Sequence, residues 1–167
     1  SIGNFLEHRD NVRFVENTML AIENEIKINQ AELKAIVDRH YEMLADIETT
    51  LDADNAEASL AEMIAELGGF QVVNLKNVSL RFFISNKAEL VEFRLITTLL
   101  DIEAQTEILS GKIQRLADFS YQHLNETDVQ SKRTFAFMLS DVIDSEESLL
   151  ESYEKLFSEP DLTQAMH

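Results

Sequence analysis

The stretch from Val12 to Ile47, VRFVENTMLAIENEIKINQAELKAIVDRHYEMLADI, decides the fold class. Alternating steps of three and four land on Val12, Val15, Met19, Ile22, Ile26, Asn29, Leu33, Ile36, His40, Met43 and Ile47. The seam is apolar except at Asn29 and His40, and an apolar side chain every 3.5 residues on average keeps one face of an α-helix against a neighbouring helix. The positions between carry Glu23, Glu25, Lys27, Glu32, Lys34, Asp38 and Glu42, as suits a solvated face. A helix from Val12 to Ile47 runs about 54 Å at 1.5 Å per residue, which predicts an elongated bundle or coiled coil.

Working outward, Leu51-Asp52-Ala53-Asp54-Asn55 ends this helix, because Asp and Asn side chains compete for backbone hydrogen bonds and favour turns. A short second helix follows on Leu60, Met63, Ile64 and Leu67, and Gly68-Gly69 stops it by offering the left-handed conformation. The run from Phe70 to Ser85 is β-branched and aromatic enough for a strand, but no second strand candidate exists to pair with it. Helix and loop are the favoured reading there. Asn86 with Glu89 resembles a capping box for the next long helix, whose seam is Leu95, Leu99, Ile102, Thr106, Leu109, Ile113, Leu116, Ser120 and His123. Gly111 interrupts that helix without breaking it. Thr127 with Gln130, or Asp128, opens the last helix, with Phe135, Met138, Leu139, Val142, Leu149, Tyr153, Leu156 and Phe157 on its apolar face, and Pro160 closes it. The predicted fold is all-α: an elongated antiparallel helical bundle or coiled coil of three long helices with a short helical insert. One domain spans 1–167, with helices over about 5–50, 87–124 and 128–158 and the insert over about 56–85.

Composition bounds the chemistry. The 167 residues hold 31 Asp+Glu against 14 Lys+Arg, a formal net charge of −17, and no basic cluster larger than a pair such as Lys132-Arg133. That field repels polyphosphate, so nucleic acid is not an expected partner. With no cysteine, disulfides, thiolate metal sites and cysteine nucleophiles are excluded together. No window reaches the roughly 18 apolar residues of a membrane helix. The chain opens Ser1-Ile2-Gly3-Asn4-Phe5 with no initiator Met, and the expectation is a signal peptide or membrane anchor ahead of Ser1.

The catalytic and metal templates fail residue by residue. Di-iron bundles need Glu-x-x-His, and the residues three before His8, His40 and His123 are Phe5, Val37 and Ser120. The acidic pair Asp52 and Asp54 hints at a calcium loop, yet the positions that require Gly and Glu hold Glu57 and Met63. No phosphate-cradling Gly loop, nucleophile elbow or His-Glu-x-x-His occurs. Acidic pairs such as Glu146-Glu147 read as a solvated face. No catalytic residue, cofactor or metal site is therefore predicted.

The polar residues on apolar seams are the candidates that are left: Asn29 and His40 on the first helix, and Thr106, Ser120 and His123 on the third. They either set register and sit at wet ends of the bundle, or Asn29, His40 and His123 line a polar pocket for a small ligand or a metal. A stripe as long as that of the first helix also leaves room for a protein partner or a second copy of the chain, a homodimer.

The start Ile2-Gly3-Asn4-Phe5-Leu6-Glu7 before a long acidic helix, and Asn77-Val78-Ser79-Leu80-Arg81-Phe82-Phe83-Ile84-Ser85-Asn86-Lys87-Ala88-Glu89-Leu90 later, resemble an uncharacterised family of bacterial membrane-anchored proteins. In that family a single N-terminal membrane helix ends near Asn-Trp, where this chain has Asn4-Phe5. A mid-chain segment then opens the next helix, as Ile84-Ser85-Asn86-Lys87-Ala88-Glu89-Leu90 does here, although the family's Ser-Ser-Gly has no counterpart. The resemblance implies an acidic helical domain on the periplasmic or extracytoplasmic face of a bacterial inner membrane, tethered upstream of Ser1; the alternative is a cytoplasmic location. The expected function is a non-enzymatic helical interaction or sensor-input module.

Overall fold

The first seam, free of Pro and Gly, lies in one helix, α1, which runs over Ile2–Asp52 in the computed structural model with its one Gly at position 3. The described residues are 2–52, 58–66, 68–69 and 74–158; the predicted turn at 53–55, Leu67, Phe70, Val72, Val73 and Pro160 lie outside them. After α1 come α2 (Leu60–Glu66), α3 (Val78–Lys87), a 3-10 turn (Ala88–Leu90), α4 (Phe93–Gln122) and α5 (Val129–Ser158). Among the described residues there is no strand, and the all-α class stands. No described helix is long and apolar enough to cross a membrane.

Local chemistry explains the ends. The Ser59 hydroxyl accepts from the Glu62 N–H at 3.2 Å while the Glu62 carboxylate accepts from the Ser59 N–H at 3.0 Å, a reciprocal capping box for α2. After α2 both glycines adopt φ +86°, and the Gly69 N–H reaches back to the Ile64 carbonyl at 2.9 Å. Asp128 caps α5 by accepting from the Ser131 N–H at 2.8 Å, and that hydrogen bond holds its carboxyl below the usual range. The segment with strand-like composition is helical from Val78, with Leu80 and Phe83 turned inward three residues apart and Val78 and Phe82 exposed. Asn86 therefore falls in the last turn of α3, where its Nδ2 donates to the Phe82 carbonyl at 2.8 Å, and α4 opens at Phe93 rather than near 87.

The chain divides into two compact units, each taking part of α1, α4 and α5. The first comprises Ser1–Ala31, Leu75–Thr106 and Leu149–His167. Its core is Val15, Met19, Ile22 and Ile26 of α1, Leu80 and Phe83 of α3, Leu95, Leu99 and Ile102 of α4, and Leu149, Tyr153 and Leu156 of α5. Gln105 meets Ser152 at 2.8 Å there, and Thr98 and Asp101 share a groove with Ser152 and Lys155, so α4 and α5 run antiparallel. The second unit comprises Glu32–Asn74 and Glu107–Ser148. It buries Leu33, Val37, Met43 and Ile47 with Leu60, Met63 and Ile64 of α2, Leu109, Ile113 and Leu116 of α4, and Phe135, Leu139, Val142 and Ile143 of α5. Val37 is buried where the strict heptad pointed to Ile36, which is half-buried; a 3.6-residue turn drifts against a 3.5-residue repeat. The first two N–H groups of α2 donate to the turn between α4 and α5, Leu60 to the Glu126 carbonyl at 3.1 Å and Ala61 to the Leu124 carbonyl at 2.9 Å.

Candidate functional site: polar side chains on the seams

In the first unit, Asn29 is 2% exposed and its amide is spent on one peptide. Nδ2 donates to the Lys76 carbonyl at 2.6 Å, and Oδ1 accepts from the Lys76 N–H at 2.8 Å. One turn earlier on the same face, the Glu25 carboxylate accepts from the N–H groups of Ser79 at 3.1 Å and Leu80 at 3.3 Å. Those are first-turn donors of α3, whose own N-cap residue Asn77 makes no side-chain cap, so α1 supplies the cap from outside. Two polar residues four apart thus fasten the chain entering α3 onto α1.

Tyr153 of α5 lies fully buried beside this clamp. Burial pushes its phenol up to about 12; the polar side chains of Asn29 and Thr106 pull the other way, and the Glu25 charge adds to the rise. Thr106 itself donates to the Ile102 carbonyl of its own helix at 2.7 Å, which satisfies a hydroxyl on an apolar seam.

The second unit holds a buried ionisable pair. His40 Nδ1 lies 2.7 Å from Glu146 Oε1, with side chains 3% and 0% exposed, and joins α1 to α5. The second carboxylate oxygen of Glu146 is buried and makes no hydrogen bond. Next to the pair, the Tyr41 hydroxyl donates to Glu147; that bond, followed by desolvation and the charges of Glu147, Asp144 and Glu146, holds the phenol above its ordinary range. His123, just past the end of α4, is half-buried, stacks 4.3 Å from the Phe119 ring, and has Nδ1 2.9 Å from Glu126 Oε1. Lys132 is buried on the same α5 seam as Glu146, about 21 Å away at 1.5 Å per residue.

Of the three residues expected to line one pocket, Asn29 belongs to the first unit and His40 and His123 to the second. The three face separate partners: the Lys76 peptide for Asn29, Glu146 for His40 and Glu126 for His123. Among the described residues no group of three or more His, Asp or Glu side chains is placed to hold a metal ion.

Two participants escaped the sequence reading. Glu146 looked like part of a solvated acidic pair, although steps of three and four through Leu139, Val142, Glu146, Leu149 and Tyr153 place it on the buried face, so seam continuity was an available signal. Glu25 gave no signal, since a carboxylate capping a helix from another element leaves no local spacing. No family model matches this chain, and no curated protein or solved structure is significantly similar to it.

Proposed function

We propose that the chain is a helical module that acts through protein contacts, as an interaction or sensor-input domain. The observation carrying this reading is the outer surface of α3 and α4 in the first unit. Val78 is 78% exposed, Phe82 51%, Phe93 78% and Leu100 43%, although the inward face of each helix already has a complete apolar set. Isolated exposed apolar residues are ordinary, but large aromatic side chains on successive elements are the groups that supply most interface energy. Asn29 of the α1 seam and Glu25 one turn before it support the same reading, because both are engaged in holding α3 in place.

Sedimentation velocity from one to a hundred micromolar tests it with wild type and a Phe82→Ser/Phe93→Ser variant. Concentration-dependent association that the variant abolishes supports a second copy as the partner. Cross-linking in the native host covers other proteins. A monomer throughout, with no cross-linked product that depends on Phe82 and Phe93, overturns the reading.

The location we propose is the extracytoplasmic face of a bacterial inner membrane, with the tether upstream of Ser1. The resemblance in layout at Ile2–Glu7 and Ile84–Leu90 supports it. The coding sequence upstream is the test: a run of roughly 20 apolar residues is expected, and an initiator Met directly before Ser1 refutes the tether.

A further inference from the structure

The outward side of α1 in the first unit carries an ordered set of side chains that the core does not use. At about 100° per residue, Leu6, Arg9, Arg13, Glu16 and Leu20 fall on one stripe of the helix. The buried seam of Val15, Met19, Ile22 and Ile26 lies about 130° to one side of that stripe. Phe14 and Glu25, which meet α3 at Phe82, Ser79 and Leu80, lie about 130° to the other. The stripe therefore points away from both sets of neighbours, and its side chains are exposed, Leu6 at 41% and Leu20 at 54%. In the first turns every described residue from Ile2 to Asp10 is exposed whichever way its side chain points, so packing within the chain gives this part of the helix little support.

We infer that the stripe pairs antiparallel with the same stripe of a second copy of the chain, about a two-fold axis at Arg13. The order of the side chains carries the inference. On one side of Arg13 stand Arg9 and then Leu6; at matching distances on the other stand Glu16 and then Leu20. A second copy turned end for end sets its Glu16 against Arg9 and its Leu20 against Leu6, and the two-fold axis repeats both contacts. Parallel copies would set Arg9 on Arg9 and Glu16 on Glu16, like charge on like.

Electrostatics within the chain favour the same occupant. Arg9 and Arg13, one turn apart on an exposed face, repel each other, and an acid brought by the second copy offsets that repulsion. Residues 1–20 contain the two arginines Arg9 and Arg13 and the three acids Glu7, Asp10 and Glu16, and so carry a single negative charge of a formal net −17. Two copies meet there with less repulsion than over the remaining surface. Val78, Phe82 and Phe93 take no part in this pairing, so it stands or falls apart from the contact surface of α3 and α4.

Sedimentation velocity of the full chain from one to a hundred micromolar tests the pairing. Wild type should pass from monomer to dimer over that range. Arg9→Glu and Glu16→Arg should each weaken dimerisation about tenfold or more, because each sets like charges face to face at both symmetry-related contacts. The charge-swapped variant Arg9→Glu/Glu16→Arg should return to within about threefold of wild type. Positions 9 and 16 are two turns apart, about 10 Å along the axis, so that rescue reports a contact between copies and not within one. A monomer throughout overturns the inference, and so does association that the single variants leave unchanged or the double variant fails to restore. Association lost only in Phe82→Ser/Phe93→Ser also overturns it, and places the second copy on α3 and α4.

The orientation is read separately. Because the chain has no cysteine, Leu6→Cys and Leu20→Cys each carry a sole thiol. A short bismaleimide should link the two variants when mixed, and should link neither alone, since like positions then lie about 21 Å apart along the paired helices. No linked product from the mixture, or as much from either variant alone, refutes the antiparallel pairing.

Discussion

Asn29 holds Lys76 by both sides of one peptide, its Nδ2 on the carbonyl at 2.6 Å and its Oδ1 on the N–H at 2.8 Å. A primary amide matches a peptide group donor for acceptor, as a neighbouring strand would. That match lets one polar side chain sit 2% exposed on an apolar seam with its hydrogen bonds made. Among the described residues the chain leading into α3 pairs with no strand, and the Asn29 side chain takes a strand's place.

Asn29→Ala should therefore cost about 2–3 kcal/mol, because it strands a donor and an acceptor of Lys76 and leaves a small cavity as well. The measurement is the urea midpoint at unchanged slope. Thr49→Ala, at an exposed hydroxyl that donates to the Ala45 carbonyl of its own helix, should change stability by less than about 0.5 kcal/mol.

Loss of the cap supplied by α1 should act locally. Glu25→Ala removes the acceptor for the Ser79 and Leu80 N–H groups and should cost about 1 kcal/mol, the usual size of a lost N-cap. Amide exchange at Ser79, Leu80 and Arg81 should accelerate more than exchange in α5. A uniform acceleration across the helices would instead point to a general loss of stability.

The buried phenol of Tyr153 predicts an alkaline limit. Its folded form stays protonated up to about pH 12, whereas the unfolded chain ionises near 10. The unfolded state therefore binds fewer protons above pH 10, and stability falls by about 2 kcal/mol as pH rises from 10 to 12. Absorbance at 295 nm should show Tyr153 ionising only with unfolding. Tyr153→Phe should flatten the slope above pH 10.

Two glycines should respond in opposite directions. Gly68 has φ +86° and its added Cβ would stand 3.0 Å from the Arg39 guanidinium, so Gly68→Ala should destabilise by about 1–2 kcal/mol. Gly111 lies inside α4, where a Cβ would meet Arg115 at an ordinary 3.6 Å, so Gly111→Ala should stabilise by about 0.5–1 kcal/mol. Paired denaturation curves check both signs.

Much of the architecture was legible because periodicity is a local property of the chain. From Val15 to Ile47 the seam of α1 reappears as the buried face, shifted only from Ile36 to Val37, and Leu95 to Ser120 does the same on α4. The glycine stop after α2 and the start of α5 at Asp128 were readable for the same reason: a cap acts within one turn of its own residue. The opening of α4 was misplaced because Asn86 and Glu89 have the spacing of a cap, while the helix ahead of them already uses Asn86 in its last turn.

Alone, then, the sequence determined the helical class, the inward faces of the long helices and the polar positions that interrupt them, since each depends on spacing along one element. Tertiary structure decided the partners of those polar residues: Lys76 for Asn29, Glu146 for His40, and the first turn of α3 for Glu25. The reason is that a hydrogen bond between residues 47 or 106 positions apart depends on how separate helices pack, and nothing in the local pattern of either residue encodes that distance.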